Sequence, residues 1–479
     1  TTAETLKATT GIVTTLTATT GIVTTLTTNT TRATTGIVTT LTATTGIVTT
    51  LTTNTLTANS TAKVGSGVTL SPDGDVFVTG VTTSSTVKVG GGVTISESGI
   101  EASGIGITCA NINGTQIGGR RNKIINGDAR IAQRATSATS VSGQYKTVDR
   151  FSTAFGGADE SPTESQHSLS TSDTPYALGF RKSFHYTNGN QTSGAGSSDY
   201  LQPQYKIEAQ DLASCGWDYT SSTSFITLSF WVKSSVAGDY TLNFGTHDGT
   251  AYRYLMEYTL VADTWKHVVF KIPGNSNLTI NDDNGHGATI MWYPFLGSAY
   301  VQADQENNWY ASSNGKYGTV STTNWWTTND STWEITGVQL EVGEQATAFE
   351  HRMHGEELLL CQRYYQQLVV SDGNAGIGIL RASSSNNFQQ LAGIPQIVKM
   401  RTGATGAVVS SNSTITCRRL NGSSSDITAS LSFMGGSSDH ARVSFRFTGD
   451  TPGQFVNTEP YACWDEQHGG IVVEQDAEL

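Results

Sequence analysis

Two kinds of side chain in this sequence have the type and spacing to do chemistry: adjacent carboxylates and aromatics set among polar residues. Asp282-Asp283 and Glu356-Glu357 are examples of such carboxylate pairs. Glycoside hydrolysis needs two carboxylates on either side of one bond, and neighbours along a strand point to opposite faces. The pairs therefore read as solvated loop and helix-start charges. The nine histidines are dispersed, with no H-E-x-x-H pair and no G-x-S-x-G elbow. Asp282-Asp283-Asn284-Gly285-His286 and Asp304-Gln305-Glu306-Asn307-Asn308 carry enough oxygens for calcium but lack the loop spacing and closing glutamate, and they read as turns. Gly90-Gly91-Gly92 belongs to a repeat, not to a phosphate loop. No catalytic residue, cofactor or metal site is expected.

Aromatic rings offer a different chemistry. An exposed ring packs against the C–H face of a sugar while nearby amides and hydroxyls bond its hydroxyl groups. Trp309-Tyr310, Trp325-Trp326 and Trp333 lie among Asn, Ser and Thr. Two adjacent tryptophans in a strand cannot both face a core, so one of Trp325 and Trp326 is expected at the surface or at a subunit interface, and Trp333 in the core. Tyr461, Trp464 and His468 fall in a polar stretch with Asp465 and Glu466, read as a loop. These five residues, Tyr461, Trp464, His468, Trp325 and Trp326, are the candidate receptor-binding set.

The elements that must position them follow from composition and pattern. The 479 residues exceed what one core organises, so at least two domains are expected. Only 36% of residues are hydrophobic and 14% charged, and the remainder is rich in Thr, Ser, Asn and Gly, the balance of a β-rich chain. A net charge of −12 excludes the basic footprint that nucleic acid requires. The five cysteines are widely spaced and read as buried free thiols. No apolar run is long enough to span a bilayer as a helix.

Residues 1–120 are repetitive. Ala8-Thr9-Thr10-Gly11-Ile12-Val13-Thr14-Thr15-Leu16-Thr17 recurs from Ala18, and the pair recurs from Ala33 and Ala43, a period of 25 residues. Lys63–Ser71 matches Lys88–Ser96 at the same period. Units this short bury nothing alone and must stack or wrap with other chains. Their β-branched residues and glycines favour an intertwined β shaft, and the near-heptad winding of a 25-residue period leaves a coiled coil as the alternative. From 121 to 355 come short alternating runs, at 225–232, 240–244, 265–272 and 333–341, the pattern of a jelly-roll β-sandwich. Asn126-Gly127 marks a turn. A helix is expected over 356–368, with Leu358, Cys361, Tyr365 and Leu368 on one stripe that packs on the sandwich or lines a subunit interface. Residues 371–479 read as a distal β domain.

Asn122-Lys123-Ile124-Ile125-Asn126-Gly127-Asp128 and Thr147-Val148-Asp149-Arg150-Phe151 resemble the opening of a domain that recurs in bacteriophage tail fibres. Ile335–Gly343, Ala346–Arg352 and Glu356–Tyr365 resemble its far end. The repeats before it resemble shafts of fibres from short-tailed marine phages, cyanophages in particular. The resemblance implies a carbohydrate-binding-module-like jelly roll in a homotrimeric, virion-borne fibre without catalytic activity. It further implies attachment to the tail or an adaptor protein through an upstream segment, and recognition of a bacterial surface polysaccharide or outer-membrane component. A fibre with depolymerase activity and a bacterial surface adhesin are the alternatives. The resemblance fixes no receptor-contacting residue. In the trimer, Leu358, Cys361, Tyr365 and Leu368 would line the threefold axis. Light scattering on the purified chain is expected to give the mass of three chains, and a monomer at micromolar concentration would exclude the shaft so described.

Overall fold

The computed structural model describes residues 86–89, 93–96, 99–102, 120–371, 376–381, 387–389, 394–395, 397–402, 405–408, 414–420, 427–436, 442–449, 460–464 and 471–479. The chain divides into two compact units, 1–107 and 108–479. In the first, β1 (Thr86–Val89), β2 (Val93–Ser96) and β3 (Gly99–Ala102) form an antiparallel meander in which Lys88 pairs with Thr94. The second copy of the Lys-Val-Gly repeat is thus β. The Ala8-type repeats lie outside the described residues.

The second unit is built on a β-sandwich. Its strands are β4 (Ser137–Thr139), β5 (Phe151–Gly156), β6 (Thr163–Ser168), β7 (Lys182–Thr187), β8 (Tyr200–Glu208), β9 (Phe225–Ser234), β10 (Gly238–Thr246) and β11 (Tyr252–Leu260). They continue as β12 (Lys266–Pro273), β13 (His286–Tyr293), β14 (Phe295–Leu296), β15 (Asn308–Ala311) and β16 (Thr332–Val342). One sheet runs β12-β9-β16-β7-β6-β4; the other runs β14-β8-β13-β10-β11-β15, with β5 along the free side of β8. The paired strands are antiparallel. Alternation sets the core. Ile226, Leu228, Phe230 and Val232 of one sheet meet Leu242, Phe244, Ile290 and Trp292 of the other, all buried, and Phe230 packs edge-on to Trp292 at 5.8 Å.

Strand β16 contains a place where alternation breaks. Trp333 and Ile335 point inward, and so do Val338 and Leu340, which a strict period of two forbids. The register jumps from Ser229–Gln339 to Trp231–Thr336, so an extra residue on β16 absorbs the change of parity. Gly337 takes the left-handed φ of 65° needed there, and a Cβ on it would lie 2.7 Å from Phe180.

The string 122–128 is held on the outer side of this strand. The Asn122 carboxamide accepts from Ile124 N and Leu340 N and donates to Val338 O. Asn126 and Gly127 make the expected turn, closed by Ala129 N to Asn126 O at 2.9 Å. A Cβ on Gly127 would meet Val338 O at 2.1 Å, so no other residue fits. Glu357, with Glu356 expected as a solvated charge, is instead buried: it accepts from Asn126 N and from Arg352.

Two short helices, α1 (Ala209–Ala213) and α2 (Thr323–Thr327), precede α3, which spans His354–Gln362 and is shorter than expected because the chain turns at Arg363 and enters β17 (Tyr365–Ser371). The Gln-Gln-Leu-Val-Val run prefers a strand, and β17 finds a partner in a distant one, Tyr365 opposite Asp476 and Leu368 opposite Val473. The stripe of four is therefore split between helix and strand. Leu358 is half-buried, Cys361 and Tyr365 are buried within the chain, and the Leu368 side chain lies outside the described residues. Cys215 and Cys361 are free thiols.

The later strands are β18 (Gly376–Arg381), β19 (Asn387–Gln389), β20 (Ile394–Pro395), β21 (Thr405–Val408), β22 (Thr414–Arg419), β23 (Ile427–Gly436), β24 (Arg442–Gly449), β25 (Pro460–Trp464) and β26 (Ile471–Asp476). They form a three-stranded sheet, β17-β26-β21, and a larger one, β18-β25-β22-β23-β24-β19, with β20 on β24. The residues after β26 return to the sandwich. Glu478 pairs with Arg150, which is buried, left-handed at φ 73°, stacked 3.4 Å from the Tyr364 ring and bonded to Lys206 O at 2.8 Å. Beside it Arg134 bonds Asp476 at 2.9 Å and lies over Tyr365. Burial pushes the Asp149 carboxyl up to about 6, against the pull of Gln133 and Arg134.

Two outcomes are expected. Glu478→Gln leaves a buried guanidinium without its counter-charge and should lower the unfolding free energy by about 3–5 kcal/mol in a urea titration, whereas Lys271→Gln, which breaks the exposed pair with Glu344, should cost less than about 1 kcal/mol. Glu334, buried on the outer side of β16, is held at about 2 because hydrogen bonds from His167, Lys233 and Ser183 outweigh its desolvation. Its folded pKa lies below the ordinary 4.5, so its stabilisation is full above that pH and is lost as pH falls from there towards 2. The loss should be about 3 kcal/mol, and Glu334→Gln should flatten the acid limb of the stability profile.

Candidate functional site

Trp325 and Trp326 are not on a strand. They occupy the short helix α2 (Thr323–Thr327), where successive side chains diverge by a helical step, and both rings are buried in the sandwich core. Their indole N–H groups donate to Thr332 O and Gly194 O, each at 3.0 Å. The expectation that one is exposed is corrected. Trp333 is buried as expected. Trp309 is half-buried on β15 with its N–H on Pro273 O. Tyr461 is buried in β25, and Trp464 ends that strand, its backbone paired with Gly376 and Thr416 on either side. This stretch is a central strand, not a loop up to residue 464. His468 lies outside the described residues. The structure does not bring the expected set together as one surface.

Another set is brought together, on the outer face of the sheet that contains β8, β13, β10 and β11. Leu201, Tyr205 and Ile207 face the core, so Gln202, Gln204 and Lys206 face outward; the same parity puts Met291 and Tyr293 of β13, Asn243 of β10 and Arg253 of β11 on that side. Cross-strand pairing lines them up in rows: Lys206, Thr289, Gly245 and Arg253 in one, and Gln204, Met291, Asn243 and Leu255 in the next. Tyr293 and Thr241 share a third row.

The loop after β14 lays more rings on this face. It begins with Gly297 N bonded to Asp199 O, and Gly318 rests against Thr241, where a Cβ would meet the side chain at 2.3 Å. Tyr317 N bonds Tyr300 O at 2.9 Å, tying the two arms of the loop together. Tyr200, Gln202, Tyr293, Leu296, Tyr300 and Tyr317 then line a cleft of about 130 Å³. Tyr300 stands perpendicular to both Tyr200, at 6.0 Å, and Tyr317, at 5.4 Å.

Polar groups fix the rings. The Tyr293 hydroxyl donates to Gln202 Oε1 at 3.0 Å, and the Asn243 amide donates to Tyr317 O at 2.6 Å. The Arg253 guanidinium lies 4.1 Å from the Tyr317 ring centre and donates to Ser312 O. Burial raises the pKa of both Tyr293 and Tyr200, so their hydroxyls stay protonated donors. At the end of the face the His247 and His286 rings stack at 3.7 Å, with the Thr289 hydroxyl between their Nε2 atoms. Burial first, then the charges of Arg253 and Lys206, lowers His247 to about 4; burial and His247 lower His286 to about 3. Both imidazoles are neutral at pH 7.

A second concavity of about 300 Å³ lies on the opposite sheet, between Phe180, Trp231, His267, Phe349 and His351. Its walls are mainly carbon, and His351 Nε2 is already engaged by Leu178 O at 3.0 Å. The tyrosine cleft has the better mixture of ring edges, hydroxyls and amides. Its volume is below the roughly 300–1,000 Å³ of drug-sized pockets, which suits one ring of a larger ligand lying along an open face. Among the described residues that line it there is no carboxylate.

No protein-family model matches the chain, and no curated protein matches it in sequence. Among solved structures it is similar to a CBM4 module (13% identity, 45% of this chain and 97% of that one, TM-score 0.24). It is similar also to a family 11 carbohydrate-binding module from Clostridium thermocellum in complex with a β-1,3-1,4-mixed-linked tetrasaccharide (12%, 45% and 99%, TM-score 0.20). A third is the CBM22-1 xylan-binding domain from Paenibacillus barcinonensis (8%, 44% and 94%, TM-score 0.21). Each likeness is partial, and none places a ligand on this chain.

Proposed function

We propose that this chain is the receptor-binding part of a phage tail fibre, a virion-borne homotrimer joined to the tail through a further segment, and that it adheres to a bacterial surface glycan without cutting it. The observation that carries the reading is the cleft of Tyr200, Tyr293, Tyr300 and Tyr317 with Gln202 at its wall, half-open on a rigid sheet face. Phenol rings supply flat apolar contact, and their hydroxyls with the glutamine amide supply hydrogen bonds, the combination a sugar ring needs. The assignment to a fibre is supported by the strings that resemble tail-fibre domains. Asn122–Asp128, Thr147–Phe151 and the Gly337 bulge all act as framework in this fold.

The sites are weak singly, and a trimer multiplies them. Purified fibre should block adsorption of the phage to its host and leave the polysaccharide at its original length. Tyr300→Ala and Tyr317→Ala should each reduce the block by about tenfold or more, while Val261→Ser, at an exposed position away from the cleft, should leave it unchanged. Release of oligosaccharide by the wild-type chain would overturn the non-enzymatic reading. An undiminished block by both tyrosine variants, folded as judged by circular dichroism, would discard the cleft.

A further inference from the structure

The row of residues next to the cleft carries charge of one sign. Lys206 and Arg253 stand on the outer strands of a four-strand row floored by Gly245, with backbones about 14 Å apart at the usual strand spacing. His247 and His286 stand at the end of the same face. The chain as a whole is acidic at −12, so this basic row runs against its overall charge.

The nearby carboxylates are committed elsewhere. Glu208 is held by Arg363 through two bonds of 2.9 Å, Asp248 by Asn281, Asp283 by Gly285 N, and Glu478 by Arg150. Glu257 lies in the row of Tyr293 and Thr241, two rows from Arg253. Among the described residues neither Lys206 nor Arg253 pairs with an aspartate or glutamate side chain. Arg253 donates to a single carbonyl, that of Ser312, leaving the remaining donors of its fork unbonded within the described chain. Lys206 bonds Leu479 O. The side chain of Asn243, fully buried in the row between, has an unpartnered carbonyl oxygen.

We infer that the glycan recognised on this face is acidic, and that Arg253 and Lys206 bind its anionic substituent while the tyrosine cleft holds the adjoining ring. This rests on the glycan-binding reading above and narrows it to polymers that bear a carboxylate, sulfate ester or phosphodiester. A guanidinium fork matches all three oxyanions. The two neutral imidazoles beside the row contribute hydrogen bonds without adding charge, so the attraction comes from the lysine and the arginine.

The test is binding of the full chain to an array of polysaccharides of four kinds: uncharged, uronate-bearing, sulfated and phosphodiester-linked. Binding to at least one acidic kind and not to the uncharged ones is expected, and the arms separate the three anions. Arg253→Gln and Lys206→Gln should each weaken it by about tenfold, the cost of one charge-assisted bond. Because either variant also loses a contact to the fold, unmutated chain is tested in parallel at rising salt, and about 0.5 M sodium chloride should abolish most of the binding. Binding to uncharged polymers that is indifferent to salt and to both substitutions would overturn the acidic assignment and leave glycan recognition standing. Absence of binding to all four kinds would overturn both.

Discussion

A guanidinium cannot shed its proton in a protein interior, and Arg150 is buried in this one. Its surroundings therefore have to supply a counter-charge, an acceptor and a surface for its flat face. They come from three parts of the chain: Glu478 beyond the last strand, the Lys206 carbonyl on β8, and the Tyr364 ring at the turn between α3 and β17. Arg134 repeats the arrangement next to it with Asp476 and Tyr365. The sandwich and the segment that ends the chain are thus stabilised jointly, and neither satisfies its charged groups without the other.

The same demand explains the strings that stand out in the sequence. Asp149 and Arg150 keep the pair of buried charges in place, Asn126 and Gly127 turn the chain under β16, and Gly337 lets two inward-facing halves of that strand share one core. Such residues are readable because each is nearly irreplaceable on local grounds: a left-handed φ, a Cβ without room, a carboxamide bonding three backbone groups. The strands were readable too. Runs expected at 225–232, 240–244, 265–272 and 333–341 correspond to β9, β10, β12 and β16, with ends that agree to within one or two residues.

What the sequence hid depends on partners far along the chain. Nothing local indicates that Tyr365 to Ser371 pairs with residues a hundred or more positions later, so the sequence reads as a helical stripe where half of the segment is strand. Strand geometry would turn one of Trp325 and Trp326 outward, and the short helix buries both. The tyrosine cleft draws on β8, β13 and two arms of a loop, and its one sequence signal is parity. In Gln202, Gln204 and Lys206, as in Thr241, Asn243 and Gly245, polar or small residues alternate with core residues, marking an outer face. Which strands share that face is settled only by the pairing of β8 with β13 and of β13 with β10.

The pairing of Arg150 with Glu478 also sets an order of events on the ribosome. The two residues are separated by 328 positions. At ordinary elongation rates Arg150 emerges on the order of tens of seconds before its counter-charge exists. Throughout that interval the sandwich strands are available but the guanidinium lacks its Glu478 carboxylate, and a buried charge left without its partner is destabilising.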